Sequence, residues 1–132
     1  MNYLLDTHSL LWCVLAPEKL SKKARSAILD SENTAVVSVV TFWEISLKFA
    51  LGKLELTGLL PENLPAVAQE TGLDIITLDV SEAASSYRLP KLTHKDPFDR
   101  LIVWQAIQRK LMLISADREF QNYQEYGLRV LW

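Results

Sequence analysis

Tyr3-Leu4-Leu5-Asp6-Thr7-His8-Ser9-Leu10-Leu11-Trp12 is a short apolar run that breaks on an acid and resumes with helical spacing. It predicts a strand over Tyr3-Leu4-Leu5, a carboxylate at the strand's end, and a helix near residues 8–16. The pattern returns later: Leu111-Met112-Leu113-Ile114 is followed by Ser115-Ala116-Asp117 and helical spacing over 117–123. Ala35-Val36-Val37-Ser38-Val39, Asp74-Ile75-Ile76-Thr77-Leu78 and Leu128-Arg129-Val130-Leu131 complete five predicted strands. Helical patterns near 21–30, 41–51, 61–71, 81–87 and 97–110 lie between them. Nearly continuous apolar strands separated by helices predict a parallel sheet covered on both faces. The fold class is therefore α/β, a three-layer α/β/α sandwich with a five-stranded parallel sheet. Gly72 and Gly127 stand where helices should stop before strands. In such sheets functional groups gather just beyond the carboxyl ends of the strands.

Length and composition narrow the class further. A chain of 132 residues, 49% hydrophobic and 23% charged, suits one domain over 1–132 that needs no staples. Its lone cysteine, Cys13, excludes an internal disulfide, and its apolar neighbours predict a buried thiol. The opening Met1-Asn2-Tyr3-Leu4-Leu5-Asp6 has neither the basic segment nor the cleavage site of a secretory signal. No apolar run approaches the ~20 residues of a membrane span. The expectation is a soluble cytoplasmic protein. The net charge of −2, from 14 Lys plus Arg against 16 Asp plus Glu, lacks the basic footprint of a dedicated nucleic-acid binder. Contact with nucleic acid would need a local basic rim, a metal site or a dimer groove.

Four acids carry the chemistry. Asp6 and Asp117 each follow a predicted strand, where an Asp serves equally as a helix N-cap, with Ser115 able to share that task. Asp99 projects among Ile102, Val103, Ala106 and Ile107, while Arg100, Gln105, Gln108 and Arg109 take the opposite, polar side. Asp96 before Pro97 supplies that helix's cap and leaves Asp99 free. Glu44 lies on a narrow polar strip with Thr41 and Lys48, in a helix apolar nearly all round and so expected to be largely buried. A Glu44–Lys48 pair, worth ~0.3–0.5 kcal/mol on a helix surface, is the plainer reading for Glu44 alone. Taken together, four carboxylates from four segments at one sheet edge must take up protons or bind a cation. Oxygen ligands suit Mg²⁺ or Mn²⁺, and no Cys/His cluster has zinc spacing. Such ions activate water and stabilise charge in phosphodiester hydrolysis.

Leu4-Leu5-Asp6-Thr7-His8, Phe42-Trp43-Glu44-Ile45, His94-Lys95-Asp96-Pro97-Phe98-Asp99-Arg100-Leu101-Ile102 and Ile114-Ser115-Ala116-Asp117 occur in this order over essentially the whole chain. In these blocks the sequence resembles the PIN-domain family, in particular the VapC-type toxins of bacterial toxin–antitoxin modules. The resemblance implies a Mg²⁺- or Mn²⁺-dependent endoribonuclease. Asp6, Glu44 and Asp99 would be its core metal ligands, with Asp117 as the fourth. Thr7 and Ser115 would support those ligands, with Asp96 at their margin. It also implies a homodimer and a partner antitoxin that covers the site. The departure is Val103-Trp104, a bulky indole where that helix often carries a small residue.

Lys48, Lys53, Arg88, Lys91, Lys95 and Arg100 lie in or beside these blocks and are candidates to grip RNA phosphates. Trp43 and Tyr87 are candidate stacking surfaces. Each residue also has a plain role open to it, as a solvated lysine, a core aromatic or, for Arg100, the partner of a neighbouring acid. His94 is tempting as an acid or base because of its residue type, but its place beside Lys95 predicts a loop or packing role. The sector Phe42, Ile45 and Phe49 is either core or dimer contact. Two other readings stand beside the nuclease. One is a phosphotransfer enzyme using Asp6 as nucleophile, although His8 falls where haloacid-dehalogenase-type phosphatases need a second Asp. The other is a PIN-like binding module without turnover.

Overall fold

A computed structural model describes residues 1–92 and 94–132. Five parallel strands, β1 (Asn2–Leu5), β2 (Thr34–Ser38), β3 (Asp74–Ile76), β4 (Met112–Ile114) and β5 (Arg129–Leu131), form one sheet in the order β3-β2-β1-β4-β5. Tyr3 pairs with Ala35 on one side and Met112 on the other, so β1 is central. The chain steps outward from β1 to β3, then crosses back to place β4 against β1's free side. The winding reverses between β1 and β4, which is where a doubly wound sheet opens a crevice.

Alternating residues of each strand feed two cores. Leu4, Val36 and Leu113 point to one face, where Ile102, Val103 and Ala106 cover them together with Phe120 and Tyr123. Tyr3, Leu5, Ala35, Val37 and Ile114 point to the other and meet Leu10, Leu11, Ala24, Ala27, Ile45, Leu64 and Ala68. Both faces are dry, and the strands therefore read as unbroken apolar runs. The covering helices are α1 (Thr7–Leu15), α2 (Lys22–Leu29), α3 (Val39–Ala50), α4 (Leu64–Glu70), α5 (Val80–Ser85) and α6 (Pro97–Arg109). Gly72 (φ 97°) and Gly127 (φ 100°) take the left-handed conformation that ends a helical segment before β3 and β5.

Several expectations need correcting. The pattern over 117–123 is a 3₁₀ helix, Arg118–Tyr126, and the start of the 61–71 pattern is a 3₁₀ turn, Pro61–Asn63. Cys13 is half-buried rather than enclosed, and burial raises its thiol pKa. Helix α3 is not largely buried: Trp43, Leu47 and Leu51 are exposed at four-residue spacing, because only its other sides meet the sheet and α6. In the sector left open between core and dimer contact, Ile45 is fully buried, while Phe42 and Phe49 are half-buried beside Pro61 and Pro65. Part of the polar side expected of α6 is covered as well, although Gln108 stays exposed. Gln105 is fully buried, donating to the Thr77 carbonyl and Glu82 and accepting from Ser38, because α5 and the end of β3 pack over it.

Candidate metal centre

Asp6 follows β1, and its backbone N–H donates to the Ile114 carbonyl at 3.2 Å, fixing it beside the end of β4. One carboxylate oxygen caps α1, accepting from the Ser9 N–H at 2.9 Å. The other accepts from the Ser115 hydroxyl at 2.6 Å. Both readings of Asp6 are compatible in this geometry, because the cap uses a single oxygen. Burial lifts the Asp6 carboxyl above the usual carboxylate range, against the pull of the Ser115 and Ser9 hydrogen bonds. Ser115 also accepts from the Asp117 N–H at 3.0 Å, so one hydroxyl links the two strand-end acids.

Glu44 is 2% exposed on the first half of α3. The Thr7 hydroxyl donates to its Oε1 at 2.5 Å, and Lys48 one turn on pairs with its Oε2. The i,i+4 pair thus exists, with its acid buried rather than on a surface. Burial opposes the Lys48 charge, but Glu44, Asp96 and Asp99 outweigh it and hold the ammonium above its ordinary pKa.

Asp99 stands half-buried in the first turn of α6, whose cap is Asp96, accepting from the N–H groups of Phe98 (2.8 Å) and Asp99 (3.2 Å). Among the described residues no donor reaches the Asp99 carboxylate. Desolvation first, then the charges of Asp96 and Glu44 and more weakly Asp6, push its pKa to about 7, with His94 opposing. Asp117 is exposed and caps the 3₁₀ helix, accepting from the Glu119 N–H at 2.9 Å. Burial would raise its pKa, yet the hydrogen bond from His94 and that from Glu119 bring it below the ordinary value.

The structure thus brings Asp6, Thr7, Glu44, Asp96, Asp99, Ser115 and Asp117 to one end of the sheet at the reversal of its winding. The four acids do not share a single tight cluster. Among the described residues, the set whose ligand atoms lie within 4.8 Å of one another is His94, Asp117 and Glu119. The reason is local: Asp6 is satisfied by Ser9 and Ser115, Glu44 by Thr7 and Lys48, and Asp117 by His94 at 3.0 Å. Asp99 alone is left to repel its neighbours. Oxygen donors brought to one end of the sheet, one of them holding a proton until near neutrality, are of the type that suits a hard divalent cation.

His94 has more than a packing role. It is buried, stacked on Phe120 with centroids 4.3 Å apart, and turns Nε2 to Asp117. Of the RNA candidates, Lys48 is spent on Glu44, while Lys95 is exposed and Arg88 lies over the exposed Tyr87 ring. Arg100 does not neutralise an acid: it donates to the Leu89 and Pro90 carbonyls and holds that loop. Trp43 and Tyr87 are not core aromatics, being 61% and 77% exposed, and Trp43 meets Phe98 edge-on. Sequence reasoning missed Ser9, Glu119 and the pairing of His8 with Trp12. The four-residue spacing of His8 and Trp12 on α1 was a usable signal; Glu119 had none beyond its nearness to Asp117.

A doubly wound parallel sheet with acids gathered where its winding reverses defines the class, and the chain belongs to the PIN domain family, whose model matches residues 3–126. A particular relative is ribonuclease VapC22 of Mycobacterium tuberculosis, 28% identical over 129 residues, covering 98% of this chain and 97% of that protein. Solved structures with the same fold include VapBC2 from Rickettsia felis bound to a DNA fragment from its promoter (TM-score 0.69, 17% identity, 99% of this chain and 98% of that one). VapBC-1 from nontypeable Haemophilus influenzae is similar as well (TM-score 0.65, 20% identity, 99% and 97%).

Proposed function

We propose that this protein is a Mg²⁺- or Mn²⁺-dependent endoribonuclease and the toxin of a toxin–antitoxin pair. The observation that carries the reading is the gathering of Asp6, Glu44, Asp99 and Asp117, each from a different segment, at the carboxyl ends of β1 and β4. Similarity to a VapC ribonuclease along almost the full length of both chains supports the same activity. These four acids would hold the ion, which when bound activates water and stabilises the charge of a phosphodiester under attack. Thr7 fixes the Glu44 carboxylate, and Ser115 orients Asp6 while tying it to the Asp117 backbone. Lys48 balances Glu44 within the acid cluster. Lys91, Lys95 and Arg88 are exposed on the segment leading into Asp96 and supply positive charge for the RNA backbone.

The exposed row Trp43, Leu47 and Leu51 supports a protein partner, either the antitoxin or a second copy, since a soluble surface seldom leaves such a row uncovered. No helix among the described residues is long and apolar enough to cross a membrane, which is compatible with a cytoplasmic toxin. Phosphotransfer from Asp6 gains no support, because His8 stands where haloacid-dehalogenase-type phosphatases carry a second Asp.

The test is cleavage of a mixed cellular RNA pool by purified, partner-free protein in Mg²⁺, Mn²⁺ or EDTA, with Asp99→Asn alongside. Discrete fragments that require metal and disappear in the variant are expected. Equal cleavage by the variant would remove the acidic site as its cause. A pool left intact by a protein that binds the metal would remove the nuclease.

A further inference from the structure

The acids, with the ion they would hold, account for the phosphate of an RNA strand and leave its bases unread. A pocket of about 350 Å³ opens beside them, lined by Asp6, His8, Trp12, Ala116 and Asp117. Its size falls within the ~300–1,000 Å³ of small-ligand sites. Two of its lining residues belong to the proposed metal centre; the other three have no evident work there. His8 and Trp12 are one turn apart on α1 and project to the same side. Their ring centroids lie 5.8 Å apart, and Trp12 is backed by Trp132 at 5.6 Å. Trp132 itself packs against the core on that side, so the indole of Trp12 is held from behind. His8 is exposed and, Trp12 apart, no hydrogen bond or ring contact among the described residues occupies its imidazole. Ala116 is exposed and leaves the mouth open, since a methyl group is all its side chain contributes.

We propose that His8, Trp12 and Ala116 form a nucleobase subsite, which seats an unpaired RNA base adjacent to the phosphate that an ion on Asp6 and Asp117 would face. The proposal rests on the ribonuclease reading and names the part of the substrate which that reading leaves open. Single-stranded RNA is recognised by stacking bases on aromatic rings and by hydrogen bonds to their edges. Trp12 and His8 supply ring surface, and the His8 nitrogens supply a donor or acceptor. A paired base would first have to leave its stack at an energetic cost, so the subsite selects single-stranded segments. Because the pocket and the acids share Asp6 and Asp117, the base it reads belongs to a nucleotide flanking the cut.

The experiment begins from a cleavage site found in the cellular RNA pool. A short single-stranded RNA spanning that site is made intact and with an abasic residue at each nucleotide flanking the cut. Cleavage is measured for wild type, Trp12→Ala, Trp12→Phe and Ala116→Leu. For wild type, removing one of the two bases should lower kcat/KM about 5- to 150-fold, the range expected for one stacked base, mainly through KM. Trp12→Ala and Ala116→Leu should lose a similar factor on intact RNA and no longer distinguish it from the abasic strand. Trp12→Phe should keep the distinction. Ala116→Leu fills the pocket from an exposed position with ordinary backbone, so it tests the subsite even if Trp12→Ala folds poorly. An abasic penalty that persists undiminished in Trp12→Ala and Ala116→Leu overturns the subsite and leaves the nuclease standing. A wild type that cuts no RNA at all removes the nuclease reading and the subsite with it.

Discussion

Replacing Asp99 with Asn should make the metal-free protein more stable, by an amount set by pH. The native carboxyl titrates at about 7, whereas the unfolded chain ionises it near 3.8. Between these values the native state keeps a proton that the unfolded state has released. The stability this group confers is therefore fully present below pH 3.8 and is lost as pH rises towards 7. At ~1.36 kcal/mol per pH unit, that interval sets a ceiling of about 4 kcal/mol. Water reaches a half-buried carboxylate and screens it, so we expect about 2 kcal/mol in practice. The assay is urea unfolding of wild type and Asp99→Asn in EDTA at pH 4, 6 and 8. The advantage of Asn should be small at pH 4 and reach about 2 kcal/mol at pH 8. Millimolar Mg²⁺ should then narrow the gap by stabilising the wild type, through binding to the native state alone. An advantage that does not change with pH would refute the reasoning, because substitution would then be acting through helix propensity or packing. So would a wild type more stable than the variant at pH 8 without metal.

Two further outcomes follow from other contacts. Arg109 holds the buried Glu82 carboxylate at a pKa of about 2 against an ordinary 4.5, so its contribution is present above 4.5 and lost as pH falls towards 2. Unfolding of Glu82→Gln should show a loss of about 2 kcal/mol at pH 7, discounted for the part-exposed arginine, and the gap should close in acid. Thr7→Val removes the hydroxyl on the buried Glu44 oxygen; calorimetric titration with Mn²⁺ should show affinity reduced roughly 10-fold, with far-UV circular dichroism unchanged. Unchanged affinity would mean that Glu44 is positioned by Lys48 alone.

What could be read in advance was whatever is local. The strands announced themselves because both sheet faces are dry, and Asp96-Pro97 marks the start of α6 since proline is tolerated where no N–H is needed. Asp99 could be singled out because the cap was already supplied. The strand order was not legible, since nothing near β4 in the chain says that it returns to β1's free side. The packing role expected of His94 is there in its stack on Phe120, but its partner was not legible for the same reason: Asp117 lies 23 residues on, and a loop histidine gives no sign of being buried. Gln105 and Arg109 looked like a solvated face because the wheel of one helix cannot show that α5 will cover it. Helix α3 failed in the opposite sense, its apolar surround suggesting burial where Trp43, Leu47 and Leu51 remain outside.

Gln105 has a consequence for the acids that it never touches. Its amide is read at both ends, the oxygen by the Ser38 hydroxyl at the end of β2 and the nitrogen by the Thr77 carbonyl after β3 and by Glu82. Neither Glu nor Leu could answer both, because one lacks a donor and the other has no polar atom. The side chain therefore works as a key whose two notches are cut for different strands, and α6 can turn in that lock at only one rotation and one height. Asp99 rides on the same rigid rod, six residues or about 9 Å nearer its start. A helix that slipped by one residue would rotate Asp99 by roughly 100° and aim it away from Glu44. The amide at the quiet end of α6 is thus a surveyor's mark for the acid at its working end.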